Sequence, residues 1–424
     1  MKIVVLIGLT TAIVLKGLVP SFSRIDADFP GYFTAAKIAM GGPSADRLYD
    51  DAWFRGQIRR YGLESAQNPG KFAPFPPPTA LLLTPVAWLE PLAALRVVSV
   101  VSLLCVLGSI LLLARIASWT VLDSALFVLL SGHAILTGLR FGQPYMLISL
   151  CCILGYYAYL RGRYLLAGAC FGLFAPIKYY PAIFLAYFGL QRRWQVLWGG
   201  AFTILAVAVL SIAVLGWPIH ETFLRSVLWR HLTGRLSLAD RGPPFTAVYQ
   251  SFDTLFNRLF LFDSRLNPHP LLMAPLIADV AAPIAKVSIL LAAAAALAKL
   301  ARSGARGIEA SIGILGILVL LIAPANATYH FALLWLPVAL LVKYLLSSGE
   351  RRGAGVVLGL YALIGLFPYG LTQPYEGHGG LTLLDYPRLF LLLAMFVAAV
   401  YFTSRPRSVA DKGSGPAAEA TIVR

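Results

Sequence analysis

Charged residues are scarce in this sequence. Asp, Glu, Lys and Arg make up 13% of the 424 residues, whereas 58% are hydrophobic and the mean hydropathy is +0.75. Soluble domains carry about 25% charged residues, so the composition excludes an ordinary soluble protein. Acidic residues are rarer than basic ones. The chain has 19 Asp and Glu against 35 Lys and Arg, which gives a net charge of +16.

Cysteine is also sparse and follows no metal or disulfide pattern. Cys105, Cys151, Cys152 and Cys170 all fall inside apolar stretches, where cysteine behaves as a small hydrophobic residue. The chain lacks the strand–helix–strand pattern of a nucleotide-binding domain, which argues against a nucleotide-sugar enzyme. It also shows no internal repeat, which argues against a transporter, because many transporters are built from repeated halves.

Long apolar stretches dominate instead. Stretches of about 17–25 residues match the length of a helix that crosses a bilayer. The predicted spans are 3–20, 94–114, 120–138, 143–160, 195–216, 276–298, 308–324, 331–346, 354–369 and 388–403. Residues 164–190 add a hairpin of two short helices, because Pro176, Lys178 and Pro181 interrupt that stretch. The sequence therefore predicts an all-α polytopic membrane protein with about twelve transmembrane helices, within a range of roughly ten to thirteen.

The basic residues predict the orientation. They cluster in alternate loops, at positions 115, 161–163, 192–193, 299–306, 351–352 and 405–407. Short basic loops face the cytoplasm, so we predict one membrane domain, 1–403, with both termini cytoplasmic and a disordered cytoplasmic tail, 404–424. The first span is a retained anchor, and 21–93 and 217–275 are large periplasmic loops of a multi-pass protein in a bacterial inner (plasma) membrane. The basic excess is then a topology signal that needs no nucleic-acid partner.

The first outer loop carries two carboxylates, Asp26 and Asp28, directly after the first span. Acidic side chains near a membrane boundary are costly unless they are solvated or used, so these two are the first candidates for chemistry. Further along the loop, Tyr32 to Met40 and Asp50 to Tyr61 have helical spacing, and the second segment is amphipathic enough to lie on the membrane surface. Residues 79–90 then form a short apolar, re-entrant piece.

Several motifs in the outer loops share their order with one enzyme family. They are Asp28-Phe29 with Tyr32, Leu48-Tyr49-Asp50, Phe75-Pro76-Pro77-Pro78, Gly142-Gln143-Pro144, Lys178-Tyr179-Tyr180-Pro181 and the loop from Pro324 to His330. Together they resemble glycosyltransferase family 87, the GT-C-type membrane enzymes that include α-mannosyltransferases using polyprenyl-phosphate-mannose. The resemblance implies a GT-C-type fold and a hexosyltransferase that passes mannose, as the first choice of hexose, to a glycolipid or glycan on the periplasmic face.

The resemblance implies an inverting mechanism with one base, which the motif spacing assigns to Asp28, four residues before Tyr32. Transfer to a hydroxyl needs such a carboxylate to take the proton. Asp26 and Tyr32 would bind the acceptor or orient the site. The alternative is that both carboxylates are only solvated beside Arg24. A glycosidase, whose carboxylates lie about 5–9.5 Å apart, is not excluded by the spacing, and only the membrane setting argues against it.

The leaving lipid phosphate needs cationic or hydrogen-bonding partners near the outer boundary. Arg140 and Gln143 lie in a very short outer loop, and Lys178 lies at the tip of the broken hairpin. All three are candidates to bind the phosphate of the donor, although Lys178 could instead reach water along its flexible stem. His330, at the outer start of a span, is a further candidate to contact phosphate or sugar, with an interfacial hydrogen bond as its alternative.

The long second loop is the least well matched part. Family members often carry an Asn/Gln-Ser pair there, so Gln250 and Ser251 are expected to shape the acceptor site, while His231 and Arg235 share one face if their segment is helical. Asp26-Ala27-Asp28 matches the Asp-x-Asp pattern of a metal-binding pair. Because no nucleotide-binding pattern accompanies it, we predict no metal–nucleotide site. A metal that bridges a lipid phosphate stays open, and we assign no metal and no cofactor.

Two functions of other classes stay open. A transporter or flippase of lipid-linked sugar would place ionisable residues near the bilayer midplane, and a scaffold of an envelope complex would need no reactive group. The polar residues gather at outer helix ends, with Lys178 as a partial exception, which favours the enzyme. The expected partners are a polyprenyl-phosphate-sugar donor, a glycolipid or glycan acceptor and the lipid bilayer.

Overall fold

The computed structural model describes residues 1–41, 45–64, 70–229, 245–302, 305–368 and 378–404. These residues form helices and turns, and the only strand-like pairing among them is an isolated bridge between Asp263 and Asn267. The helices are α1 (Lys2–Ser23), α2 (Phe29–Ala39), α3 (Asp51–Arg60), α4 (Pro91–Ala117), α5 (Val121–Leu129), α6 (Gly132–Arg140), α7 (Tyr145–Leu160), α8 (Tyr164–Leu173), α9 (Ala182–Leu190), α10 (Trp194–Leu215), α11 (Trp217–Thr222), α12 (Phe252–Phe260), α13 (Pro275–Ala301), α14 (Ala305–Ile322), α15 (Thr328–Ser347), α16 (Arg351–Leu366) and α17 (Pro387–Ser404).

The structure confirms the predicted class, an all-α polytopic membrane protein. Six helices, α1, α4, α10, α13, α15 and α17, are long and apolar enough to cross a membrane, and α5 with α6 would make a seventh span bent by 67°. The total of about twelve spans stays a prediction, because helices such as α7 and α8 are apolar but shorter. The hairpin predicted at 164–190 is present as α8 and α9.

The helices differ in how much of their surface they bury. α15 is buried along most of its length, whereas α1, α10 and α13 keep most of their apolar surface exposed, as expected for helices that face lipid. The indole N–H of the buried Trp335 on α15 donates a hydrogen bond of 2.9 Å to the hydroxyl of Ser131, between α5 and α6. The centre of the bundle therefore lies at α15, which begins at the candidate site.

Close helix contact fixes the position of the turn after α8. A Cβ atom on Gly168 would lie 1.9 Å from the carbonyl oxygen of Val196 on α10, and one on Gly172 would lie 2.5 Å from the carbonyl oxygen of Gly200. Small residues allow two helix backbones in a membrane to approach this closely. The turn that carries Lys178 follows directly from α8 and is held by this contact.

The segment between α1 and α4 contains both predicted helices. α3 matches the predicted amphipathic helix, and the Asp50 carboxylate caps it by accepting a hydrogen bond of 3.0 Å from the Trp53 N–H. α2 begins earlier than predicted, at Phe29, because Pro30 fits the first turn of a helix. Residues 79–90, predicted to be re-entrant, form two short 3-10 turns, Pro77–Leu81 and Thr84–Val86. The predicted tail beyond Ser404 lies outside the described residues.

Candidate active site

Asp28 is the last residue before α2, and its carboxylate accepts two hydrogen bonds at one oxygen. Oδ2 lies 2.6 Å from Nε2 of Gln143, between α6 and α7, and 3.0 Å from the hydroxyl of Tyr329, at the start of α15. Within the described residues, Oδ1 accepts no hydrogen bond. Asp28 keeps intermediate exposure although protein surrounds it. One carboxylate oxygen is therefore fixed, and the other is open to a substrate.

The backbone separates Asp28 from Asp26. Ala27, between them, has a φ of 44°, a left-handed conformation that costs an ordinary residue about 1–2 kcal/mol. Oδ2 of Asp26 accepts hydrogen bonds from Nε of Arg24 at 3.1 Å and from Nη2 of Arg140 at 2.9 Å. The two carboxylates thus have different partners, and Arg140 is brought to Asp26 rather than to Asp28.

Gln143 connects Asp28 to Tyr32. Its side chain is 1% exposed, and its Oε1 accepts a hydrogen bond of 3.3 Å from the Tyr32 hydroxyl while its Nε2 donates to Asp28. The Tyr32 ring stacks on Phe75 with 5.1 Å between centroids. Both ends of the amide are therefore occupied within the protein, and Gln143 holds the orientation of the carboxylate.

Lys178 packs against an aromatic wall formed by the rings of Phe75, Tyr145 and Tyr32. Its Nζ lies 4.2 Å from the ring centroid of Phe75, 5.6 Å from that of Tyr145 and 5.7 Å from that of Tyr32. Ring faces attract a cation, yet no carboxylate forms an ion pair with Lys178 in the part of the chain that the structure describes. A cation in this position is free to bind an anionic group.

Burial shifts the titration of both charged groups, since it disfavours the charged form of each. Burial raises the pKa of Asp28 above its ordinary value, while the hydrogen bond from Tyr329, the charge of Lys178 and the hydrogen bond from Gln143 oppose the rise. Burial also lowers the pKa of Lys178 to about 8, against the opposing effect of Asp28. Asp28 is consequently a stronger base than a solvated carboxylate, and it sits beside an ammonium group that titrates near neutral pH.

His330 lies behind this wall. Its Nδ1 accepts a hydrogen bond of 3.1 Å from the backbone N–H of Ala327 and lies 3.4 Å from the Tyr180 hydroxyl, and its ring centroid is 4.4 Å from that of Tyr145. Because Nδ1 accepts from a backbone N–H, the ring proton is on Nε2. His330 also forms a hydrogen bond with the Ala325 backbone, and Nε2–H is the ring atom left to donate it. Both ring nitrogens are therefore engaged within the protein, and the predicted contact of His330 with phosphate or sugar stays a prediction.

Gln250 and Ser251 are engaged with the main chain. The Gln250 amide donates to the carbonyls of Ala247 at 2.7 Å and Asp385 at 2.9 Å, and its Oε1 accepts from the backbone N–H of Arg388 at 3.0 Å. Ser251 caps the first turn of α12. The pair joins the second outer loop to the start of α17, and its expected role at the acceptor site stays a prediction.

The arrangement of a buried carboxylate, its two donors and a neighbouring cation can be set beside known proteins. A sequence model of glycosyltransferase family 87 matches residues 72–324, more than half of the chain. The chain belongs to glycosyltransferase family 87. No curated protein and no solved structure matches it.

Membership of glycosyltransferase family 87 makes the chain a membrane glycosyltransferase, which requires a sugar donor, an acceptor and a bilayer. The matched residues contain Gln143, Lys178, Gln250 and Ser251, whereas Asp28 and Tyr329 lie outside them. The roles of these side chains therefore rest on their geometry in this chain.

Sequence reasoning missed Tyr329 and the aromatic wall of this family 87 enzyme. Tyr329 stands beside His330 in a motif that was recognised, but nothing in the sequence pairs it with Asp28, 301 positions away. The candidates His231 and Arg235 lie outside the described residues. Among the residues described, no three His, Cys, Asp or Glu side chains are grouped to hold a metal, and the absence of a cofactor stays a prediction.

Proposed function

We propose that this enzyme transfers a hexose, with mannose as the first candidate, from a polyprenyl-phosphate-sugar to a hydroxyl group of a glycolipid or glycan. The reaction takes place on the periplasmic face of a bacterial inner membrane and inverts the configuration at the anomeric carbon. One observation carries the proposal: Oδ2 of Asp28 is held by Gln143 and Tyr329, Oδ1 accepts no hydrogen bond from the described residues, and the Lys178 ammonium group is within electrostatic reach of the carboxylate.

The step follows from these positions. The acceptor oxygen attacks the anomeric carbon, and Oδ1 of Asp28 takes its proton as the new bond forms. The bond between the anomeric carbon and the phosphate oxygen breaks, and its electron pair leaves with the polyprenyl phosphate. The charge that develops on this oxygen is stabilised by Lys178.

The surroundings of Asp26 support transfer over glycoside hydrolysis. A two-carboxylate glycosidase needs a second carboxyl group facing the same bond as the first. Asp26 instead accepts hydrogen bonds from Arg24 and Arg140, and the left-handed Ala27 separates it from Asp28. Asp26 is therefore assigned to holding the loop in place.

Transfer by the purified protein in lipid tests this proposal. Radiolabelled polyprenyl-phosphate-mannose and a membrane glycolipid extract serve as donor and acceptor. We expect Asp28→Asn to lower transfer by about 10²–10⁴-fold at an unchanged melting temperature, and the matched control Asp26→Asn to retain most of the activity.

Two outcomes contradict the proposal in different ways. Loss of transfer in Asp26→Asn alone would assign the base to Asp26. Absence of transfer from every lipid-linked sugar tested, together with movement of those lipids across a vesicle membrane, would replace the enzyme with a flippase.

A further inference from the structure

α13 carries a lysine near its middle. The helix has 27 residues, and at a rise of about 1.5 Å per residue Lys286 lies about 16 Å from Pro275 and about 22 Å from Ala301. A hydrocarbon core of about 30 Å therefore encloses it in either orientation of the helix. Ionisable residues at such depth are rare and mark substrate or ion pathways, and the sequence analysis did not identify this one.

Lys286 lies at the border between protein and lipid. On the same helix, Ala282 and Ile289 are buried, whereas Ile284 and Val287 are 62% and 53% exposed. The Lys286 ammonium contacts Oδ2 of Asp253 on α12 at 2.5 Å, with 18% and 36% of the two side chains exposed. The ion pair is thus neither buried deep in the protein interior nor surrounded by lipid.

Polar and aromatic groups connect this ion pair to the candidate active site. Burial and the negative charge of Asp253 both raise the pKa of Tyr179, so the carboxylate is within electrostatic reach of that ring. Tyr179 stacks on Tyr180 at 4.6 Å, and the Tyr180 hydroxyl approaches Nδ1 of His330. Tyr179 directly follows Lys178 in the chain, so the same turn is within electrostatic reach of both Asp28 and the ion pair of Lys286 with Asp253.

We propose that Lys286 binds the phosphate head group of a polyprenyl lipid at the lipid-facing side of the enzyme, and that Asp253 takes the place of this phosphate when the lipid is absent. Polyprenyl phosphate would leave the active site past this position. The identity of the lipid rests on the proposed function, whereas binding of a lipid phosphate does not.

The chemistry of the two anions favours an exchange. The lysine ammonium group is a compact charge with three donors, and Asp253 is its one ion-pair partner in the described part of the chain. Polyprenyl phosphate is a phosphate monoester and carries about −1.5 to −2 charges at pH 7, more than a carboxylate, so it can displace Asp253. The sugar donor is a phosphodiester with a single negative charge, so the exchange favours polyprenyl phosphate. An ammonium with a resident competing anion binds lipid phosphate reversibly, as a position on a path requires.

The two members of the pair should therefore have opposite effects on binding. Lys286→Met keeps the apolar stem and removes the charge, so it weakens binding of the phosphate. Asp253→Asn removes the competing anion, so it strengthens binding. An ion pair that only fastens α12 to α13 would give two variants that change in the same direction.

The experiment uses the full chain in phosphatidylcholine nanodiscs and a fluorescent polyprenyl phosphate. We expect Lys286→Met to reduce its affinity about tenfold or more and Asp253→Asn to increase it, with binding of the uncharged polyprenol unchanged in both variants. Lys343→Met is the matched control, because Lys343 forms a 2.7 Å ion pair with Glu309 between two other membrane helices. It should leave binding of polyprenyl phosphate unchanged.

Specific results would overturn the inference. Weaker binding in both Lys286→Met and Asp253→Asn, with equal losses of melting temperature, would reduce the pair to a structural contact. Competition by inorganic phosphate as strong as that by the lipid, or binding of phosphatidylglycerol in place of polyprenyl phosphate, would refute the polyprenyl lipid as ligand. Opposite effects on binding, found without sugar transfer from any donor, would support this site and contradict the proposed function alone.

Discussion

The hydroxyl of Tyr329 donates a hydrogen bond of 3.0 Å to Oδ2 of Asp28 across 301 positions of sequence. Burial favours the neutral form of Asp28, and hydrogen bonds to an ionised carboxylate favour the charged form. Tyr329 and Gln143 both donate to the same oxygen. Both bonds oppose the rise in the pKa of Asp28 that burial causes, and neither of them uses Oδ1.

Tyr329→Phe should therefore change the pH dependence of transfer. Without this donor the pKa of Asp28 rises further, so the acid limb of kcat/KM moves to higher pH, and activity at neutral pH falls about tenfold. The measurement is kcat/KM for transfer as a function of pH. Tyr249→Phe is the control, because burial and the charge of Asp28 raise the pKa of Tyr249 but its hydroxyl does not bond to Asp28. Identical acid limbs in Tyr329→Phe and wild type would remove Tyr329 from this role.

Lys178 should set the alkaline limb of the same profile. Its pKa is lowered to about 8, so the ammonium loses its charge as the pH rises through about 8, and attraction for the phosphate is lost with it. Lys178→Met should show low activity throughout and no alkaline limb, whereas the guanidinium of Lys178→Arg stays charged and should move the limb to higher pH. An alkaline limb that persists near pH 8 in Lys178→Met would assign it to another group.

The contact between α8 and α10 predicts a stability effect at Gly168. A methyl group there meets the carbonyl oxygen of Val196 at 1.9 Å, so the helices must separate, at a cost of about 1–3 kcal/mol. Gly168→Ala should lower the melting temperature in detergent, followed by intrinsic fluorescence. Gly355→Ala on α16, where a Cβ has no neighbour within 4 Å, should not. Equal melting temperatures of the two variants would contradict this account of the helix contact.

Long apolar stretches were predicted well because length and composition alone define them. The span predicted at 195–216 is α10, and the one at 276–298 lies within α13. The span predicted at 120–138 instead bends between α5 and α6. There Ser131 donates to the Val128 carbonyl at 2.7 Å and accepts from Trp335, and such side-chain bonds compete with the helix. The bend depends on a residue 204 positions away, which no local pattern contains.

The residues of the candidate site could likewise be predicted only where a local motif contains them. Loop motifs located Asp28, Gln143 and Lys178, and the structure brings these three together. The sequence associated Arg140 with phosphate, whereas the structure pairs it with Asp26. The role of Tyr329 was not predicted, because hydrogen bonds between distant segments leave no periodic signal in a sequence.

The separation of Asp28 from Tyr329 also orders events during synthesis. At about 5–20 residues per second, 301 residues take about 15–60 s to follow. Through that interval the carboxyl group of the nascent chain lacks one of its two donors. The hydrogen bonding at Oδ2 is therefore complete only once Tyr329, at the start of α15, has been synthesised and packed against Asp28, so a chain that stops before Tyr329 lacks the finished site.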